Sequence, residues 1–156
     1  MKKSTVYLSG PMHNVPDKGK GWRQELITKC TDFTFLDPTR HQSQDASVVE
    51  LDKNDIKGSD ALIANVWCPS VGTAQEIYIA FTAGKGVVVV TPDLGNLWLA
   101  AHSHFVTTSI EEGMQFIREY FEKGFVPTAT HQLPLSVKRL HPYSCCNLFR
   151  FTHSNE

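Results

Sequence analysis

The segment that decides the fold is ALIANVWCPSVGTAQEIYIAFTAGKGVVVV, residues 61–90. It opens with a β-rich apolar run, passes through Pro69 into a helix-forming stretch, and returns after Gly84 to a second apolar run. A strand, a helix and a strand in so short a span are typical of a right-handed βαβ unit with parallel strands. Because neither run alternates polar with apolar residues, both strands are expected to be buried on both faces.

The same alternation of strand and helix extends in both directions from this segment, although the signal weakens after residue 94. It predicts a three-layer α/β fold, flavodoxin-like or Rossmann-like, with helices on both faces of a parallel sheet. About five strands are expected, in the order 2-1-3-4-5. The predicted elements are strand 5–9, helix 22–29, strand 33–36, helix 46–57, strand 61–67, helix 73–83, strand 86–91, helix 97–101, strand 104–107 and helix 110–123.

The length and composition limit the possible classes of protein. We predict one domain over residues 1–124 and a C-terminal extension, residues 125–156, to which the pattern assigns no packing. Hydrophobic residues make up 41% of the chain, and the formal net charge is -1 without any basic block. This composition argues against a protein that binds nucleic acid through its phosphate backbone. Every apolar run is far shorter than the ~20 residues of a membrane span, so we expect a cytoplasmic protein.

The four cysteines, Cys30, Cys68, Cys145 and Cys146, show no zinc-binding spacing, so we expect reduced thiols. His102 and His104 are two positions apart and would diverge on a helix, which argues against a metal site there. We therefore expect neither a metal nor a cofactor.

The sequence TAQE, residues 73–76, lies where the helix of the central segment is predicted to begin. One interpretation is a capping box, in which Thr73 caps the helix and Glu76 bonds back to the main chain. The other places Glu76 in the first helical turn, where the helix dipole would keep its pKa low. An ionised carboxylate that faces a cleft can attack an anomeric carbon. The residues alone leave both interpretations open.

A second carboxylate of interest is Asp52, in the predicted helix 46–57. At about 100° per residue it falls within the apolar stripe of that helix. A carboxylate on a buried face is costly unless it is paired or used, and burial raises its pKa, which suits a general acid. The alternative is a carboxylate bonded to a neighbouring loop, and Asp55 borders the same face. The apolar residues of the stripe are Val48, Val49, Leu51 and Ile56.

Ligands bind in this fold at the carboxyl ends of the strands near the switch point, here the first and third strands. Tyr7, in the first strand, is either a core tyrosine or the residue that orients Glu76. The loop from Gly10 to Gly21 contains three glycines and two lysines, Lys18 and Lys20, and leads into a helix. Such a loop can present N–H groups to a phosphate, or it can be an ordinary surface loop.

Taken together, these motifs resemble the nucleoside 2-deoxyribosyltransferase superfamily, which includes the 2'-deoxynucleoside 5'-phosphate N-hydrolases. The resemblance covers about the first 90 residues, in order and at family-like spacing. The matching segments are VYLSGPM (6–12), WRQEL (22–26), LDPTR (36–40), LDKNDIKGSDALIANV (51–66) and PSVGTAQEIYIAFTAGKGVVVV (69–90).

The resemblance implies a ping-pong mechanism without metal. In it Glu76 is the nucleophile that carries the sugar, Asp52 is the acid that assists the departing base, and Tyr7 lies beside the nucleophile. It also implies a homodimer or higher homo-oligomer in which a neighbouring subunit completes the site with a polar residue, for which Ser103 or His102 is a candidate. The predicted substrate-binding residues are Ser9, Gly10, Pro11, Met12, Trp22, Arg23, Ser70, Gly72 and Ser103.

Ser70 bears on the substrate. Transferases of this group tend to carry aspartate six residues before the nucleophile, whereas the nucleotide hydrolases carry serine. A serine can donate to a 5'-phosphate that an aspartate would repel. The sequence thus favours cleavage of 2'-deoxynucleoside 5'-monophosphates by way of a glycosyl-Glu76 intermediate that water resolves. The alternatives are transfer of the sugar to a second nucleobase, a non-catalytic nucleotide-binding module, and an interaction protein that uses its C-terminal tail.

Overall fold

A computed structural model of the chain describes residues 2–41 and 45–123. The predicted extension 125–156 and the cysteine pair Cys145 and Cys146 therefore lie outside the described residues. Cys30 and Cys68, which are described, are free thiols, as expected. The elements in chain order are β1 Thr5–Ser9, α1 Lys20–Lys29, β2 Thr34–Leu36, a 3₁₀ turn Pro38–Arg40, α2 Ser47–Gly58, β3 Ala61–Asn65, α3 Val71–Thr82, β4 Gly86–Val90, α4 Leu97–Ala101, β5 Phe105–Thr107 and α5 Ile110–Glu122.

The five strands form one parallel sheet in the order β2-β1-β3-β4-β5, which confirms the predicted topology. The central strands pair in register, with Tyr7 opposite Leu62 and Ser9 opposite Ala64. The order of the strands reverses between β1 and β3, so their carboxyl ends flank the crevice where ligands bind in such sheets.

Helices cover both faces of the sheet, as the sequence predicts. One face packs against α1 and α5, through side chains that include Leu8, Leu26 and Met114. The other packs against α2 and α3, and its core includes Tyr7 and Ile77. Because side chains alternate along a strand, Tyr7 and Ser9 both point toward α2 and α3 while Leu8 points toward α1. The period-two geometry of β1 thus presents two hydroxyl groups to one layer of helices.

Two sequence predictions need correction. Helix α3 begins at Val71 rather than Thr73, and its N-cap is Ser70, whose Oγ accepts from the N–H of Thr73. The apolar stripe of α2 is also only partly buried, because Val49 and Leu51 are exposed. None of the helices in the described part of the chain is long and apolar enough to cross a membrane.

Candidate active site

The carboxylate of Glu76 receives a hydrogen bond on each of its oxygens. The hydroxyl of Tyr7 donates to Oε1 at 2.9 Å, and the hydroxyl of Ser9 donates to Oε2 at 2.5 Å. Both donors lie on β1, while Glu76 lies on α3, and the residue keeps part of its surface exposed. The two hydroxyls thus fix the carboxylate at the edge of the sheet where β1 and β3 end.

The capping-box interpretation of Glu76 is wrong, because its carboxylate bonds to β1 and not to its own helix start. The argument from the helix dipole is also wrong. Helix α3 begins at Val71, so Glu76 lies in the second turn, and the effect of the dipole fades beyond the first. Burial instead raises the pKa of Glu76 to about 7, although the hydrogen bonds from Ser9 and Tyr7 and the charge of Arg23 oppose this shift. Near neutral pH the group therefore divides between the two protonation states.

Tyr7 stays protonated and remains a donor. Burial raises its pKa well above the usual value, and the carboxylates of Glu76 and Asp52 raise it further. A phenol between two acids cannot ionise without placing a third negative charge among them. Its hydroxyl therefore acts only as a hydrogen-bond donor, and the bond that it makes is to Glu76.

Asp52 adjoins this pair from α2. Its side chain is 14% exposed, and Oδ1 is buried with no hydrogen-bond partner among the described residues. Burial raises the pKa of Asp52, and the negative charge of Asp55 raises it further, whereas His41 and the Tyr7 hydroxyl lower it. The direction agrees with that expected of a general acid. The structure thus brings together Tyr7, Asp52 and Glu76, the three residues predicted to carry the chemistry.

Asp52 is surrounded by His41 and Arg40, which the sequence did not indicate, and by Asp55, which borders the same helix face as predicted. His41 Nε2 lies 2.8 Å from Asp55 Oδ2 and 3.8 Å from Asp52 Oδ1. Arg40 Nη2 lies 2.5 Å from the same Asp55 oxygen. His41 follows the 3₁₀ turn after β2, and β2 borders β1, so an inspection of every strand end near the switch point would have found it.

The same cluster is the only group in the described residues with the spacing of a metal site. One ligand atom from each of His41, Asp52 and Asp55 lies within 4.8 Å of the others. The guanidinium of Arg40, however, already bonds the Asp55 oxygen, and its positive charge opposes a cation there. We therefore treat these side chains as a hydrogen-bonded cluster.

Arg23 was predicted to bind substrate, but its side chain is fully buried. Its guanidinium donates to the carbonyls of Leu8, Gly10 and Gly19, at 3.2, 2.9 and 2.7 Å, and its Nε lies 3.6 Å from Asp37 Oδ1. Every donating nitrogen is engaged with the protein, so the geometry supports a role in shaping the loop between β1 and α1.

The neighbours of Arg23 explain the glycines in this loop. Gly19 adopts φ +70°, and a Cβ there would lie 2.4 Å from Arg23 Nη1. A Cβ on Gly10 would lie 3.0 Å from the Asn65 carbonyl oxygen and 3.1 Å from the ring of Trp22. The ring of Trp22 in turn lies under the guanidinium, 4.7 Å from its central carbon. Gly10 and Trp22, predicted to bind substrate, thus pack around Arg23.

The N–H groups at the end of this loop, where it enters α1, are already bonded. The carboxylate of Asp17 accepts from the N–H of Gly19 at 2.9 Å and from the N–H of Gly21 at 2.7 Å. Asp17 thus occupies the start of α1 in the way that a bound anion would. This contact removes the argument that the glycine loop cradles a phosphate.

The hydroxyl of Ser70 is bonded to Thr73 at the start of α3. Its Oγ accepts from the N–H of Thr73 at 3.3 Å and from the hydroxyl of Thr73 at 2.9 Å. Ser70 also lines a mostly apolar pocket of about 400 Å³ between α3 and the loop after β4. Glu76 is not among the described residues that line this pocket. Gly72 is exposed in the first turn of α3, with open space around its Cα.

The remaining predicted residues lie at opposite ends of the strands. Pro11 is buried and Met12 half-buried, both in the loop that follows β1 and leads away from Ser9. Ser103 instead lies just before β5, where His104 pairs with Val87 at the start of β4. The parallel strands begin at that end of the sheet, whereas Glu76 lies where they end. Within one chain Ser103 therefore does not approach Glu76.

This arrangement defines the class: a flavodoxin-like α/β protein with a hydrogen-bonded carboxylate and a buried acid where its central strands end. Among solved structures, a 2-deoxyribosyltransferase from the psychrotolerant bacterium Bacillus psychrosaccharolyticus shares the fold with a TM-score of 0.56. It is 21% identical, and the match covers 66% of this chain and 85% of that one.

The CMP N-glycosidase BcmB of Clostridium botulinum shares the fold with a TM-score of 0.55. It is also 21% identical, and the match covers 75% of this chain and 99% of that one. Both proteins fall within the superfamily that the sequence motifs resemble, but at this identity the likeness shows the fold alone. No protein-family model matches the chain, and neither does any curated protein.

Proposed function

We propose that this protein cleaves the N-glycosidic bond of 2'-deoxynucleoside 5'-monophosphates, with Glu76 as the nucleophile. The observation that carries the proposal is that the hydroxyls of Tyr7 and Ser9 both donate to Glu76, beside a second, buried carboxylate, that of Asp52. A carboxylate that attacks and a protonated carboxyl that donates are the two groups that glycosidic cleavage needs.

In the first half-reaction a carboxylate oxygen of Glu76 attacks C1' of the sugar. The C1'–N bond breaks, its electron pair goes to the nucleobase, and Asp52 delivers its proton to a base nitrogen. The sugar is then an ester of Glu76 and Asp52 is an anion. Because attack removes the negative charge of Glu76, the hydroxyls of Tyr7 and Ser9 hold the attacking carboxylate in place rather than stabilise the product ester.

In the second half-reaction water attacks C1', returns a proton to Asp52, and the ester bond breaks to restore the carboxylate of Glu76. If a second nucleobase attacks instead, the product is an exchanged nucleoside, and the reaction is transfer. The two proteins that share the fold are named for one reaction of each kind, a deoxyribosyl transfer and an N-glycosidase reaction. We favour water as the acceptor, and the transferase is the alternative.

The 5'-phosphate preference now depends on Ser70, since Asp17 occupies the amides of the glycine loop. The Ser70 hydroxyl lies at the start of α3, where the helix dipole favours an anion. One of the proteins with this fold is named for CMP, a nucleoside monophosphate. These two points favour a monophosphate over a nucleoside.

We further propose a homodimer or higher homo-oligomer with shared active sites, in the cytoplasm. The outer surface of α3 and α4 exposes large apolar side chains: Val71 is 77%, Tyr78 53%, Leu97 74% and Trp98 78% exposed. Several exposed large apolar side chains on neighbouring helices are typical of a surface that contacts another protein. Sedimentation of the wild type and of the variant Trp98→Glu tests this, since a monomeric wild type would contradict it.

A panel of deoxyribo- and ribonucleosides, with and without a 5'-phosphate, tests the activity by release of free base. We expect release from the deoxynucleoside monophosphates, and no exchanged product when a second base is added. Glu76→Gln and Asp52→Asn should each abolish release, while Glu50→Gln, an exposed carboxylate of α2, should not. Binding without release by the wild type would instead indicate a non-catalytic nucleotide-binding module.

A further inference from the structure

The side chains of His41 and Asp55, next to Asp52, have no role in the reaction proposed for Glu76 and Asp52. Asp52 and Asp55 are three residues apart on α2 and therefore share a face of that helix. The imidazole of His41 lies between them, with Nε2 at 2.8 Å from Asp55 and 3.8 Å from Asp52. Their side chains are only 14% to 18% exposed, so this is not an ordinary surface ion pair.

Asp55 holds the imidazole in place. Its Oδ2 also bonds the guanidinium of Arg40, the residue before His41, so two consecutive side chains are tied to one carboxylate oxygen. The Asp52 oxygen nearest Nε2 is Oδ1, the oxygen without a hydrogen-bond partner among the described residues. Nε2 of His41 therefore lies just outside hydrogen-bond distance of Asp52 Oδ1, which has no donor among the described residues. Movement of the ring by about 1 Å would close that gap to a normal length.

We propose that His41 is a positioning residue for Asp52, which supplies its Nε2–H to Oδ1 when that oxygen becomes negative during departure of the base. This inference rests on the proposed function. In the resting site Nε2–H donates to Asp55, and Asp52 carries the proton that the base will take. After Asp52 has passed that proton to the base nitrogen, its negative charge attracts the Nε2–H of His41. The hydrogen bond then shifts from Asp55 to Asp52. His41 keeps its own proton throughout, and the water of the second half-reaction restores the proton on Asp52.

The charged and titratable groups that act on Asp52 give this role a distinctive signature. They are His41, Asp55 and Arg40 on one side and Tyr7 and Glu76 on the other. His41 favours the anion of Asp52, so its removal should raise the pKa of that carboxyl. Asp55 opposes the anion and retains the imidazole, so its neutralisation should lower the same pKa. A merely structural role would not move the two variants in opposite directions.

The experiment measures kcat for base release against pH, on the best substrate of the panel, for wild type, His41→Leu, His41→Gln and Asp55→Asn. One limb of the profile reports the proton on Asp52 and the other the proton on Glu76, and the Asp52 limb is the readout. His41→Leu should lower kcat by about tenfold, the size expected for one hydrogen bond to a charged group. It should also move the Asp52 limb to higher pH, whereas Asp55→Asn should move that limb to lower pH. His41→Gln, which offers an amide N–H, should recover part of the rate.

Glu50→Gln is the matched control, since it neutralises an exposed carboxylate of the same helix that pairs with Lys53 and should change neither rate nor profile. Thermal unfolding of each variant verifies that it is folded. If His41→Leu keeps its rate, or if both variants move the limb in the same direction while the wild type is active, the inference is overturned and the proposed function stands. A wild type that releases no base from any substrate overturns both.

Discussion

Glu76→Gln should make the protein more stable while it removes activity. Burial raises the pKa of this carboxyl from its ordinary value of 4.5 to about 7, so folding disfavours its anion. Each pH unit of difference between the folded and unfolded pKa is worth about 1.4 kcal/mol. The anion therefore costs the folded state about 3 kcal/mol at pH 8, above both pKa values. Glutamine has the same shape and carries no charge, so the variant should recover that free energy.

The sign of this effect depends on pH in a defined way. Between the two pKa values the folded state binds more protons than the unfolded state, so the wild type loses stability as pH rises from 4.5 through 7. Near pH 4.5 the two proteins should differ by only about 0.5 kcal/mol. Urea unfolding of both, at equal protein concentration and at pH 4.5 and 8, measures the difference directly.

The result that would refute this reasoning is a variant no more stable than the wild type at pH 8. A gain of the same size at both pH values would also refute it, because a desolvated anion contributes only where it is ionised. Gln75→Glu, which adds a carboxylate at an exposed neighbouring position, is a suitable control, and it should show no such gain with pH.

Three further outcomes are expected. The rate of base release should rise with pH along a limb near pH 7, since Glu76 must lose its proton to attack; a flat profile from pH 5 to 8 would contradict this. Ser9→Ala should lower kcat about tenfold and move that limb to higher pH, because it removes a donor that stabilises the anion; Ser59→Ala, a buried serine outside the site, should not. Arg23→Met should cost about 3–5 kcal/mol in urea unfolding, because it leaves a buried carboxylate and three carbonyls without their partner.

The fold follows from the sequence because its signals are local and agree with one another. Continuous apolar runs at residues 61–67 and 86–91 predict buried parallel strands, and the structure places β3 and β4 within those runs. The errors concern where elements begin and end. Thr73 and Ser70 are both good caps, and the apolar pattern alone does not distinguish a helix that begins two residues earlier.

The candidate site was predictable only in part. The proximity of Tyr7, Asp52 and Glu76 agrees with the prediction. The pKa of Glu76, however, was predicted to be lowered, whereas burial raises it. The helix dipole can be read from position along the chain, whereas burial under neighbouring elements cannot. The role of Arg23 was likewise not predictable from the sequence. Its sequence context indicates a ligand-binding cation, but three carbonyls of a folded loop take its donors.

The buried guanidinium has a consequence for attempts to redesign substrate preference. Since it joins the carbonyls of Leu8, Gly10 and Gly19, substitution of Arg23 itself, or of Gly10 and Gly19, which pack closely around it, should mostly yield misfolded proteins. Libraries are better directed to residues 67–70, whose side chains line an open, largely apolar pocket. The pocket and the loop therefore differ in their freedom to vary, since side chains at the open pocket can change while the loop is held by a single buried cation.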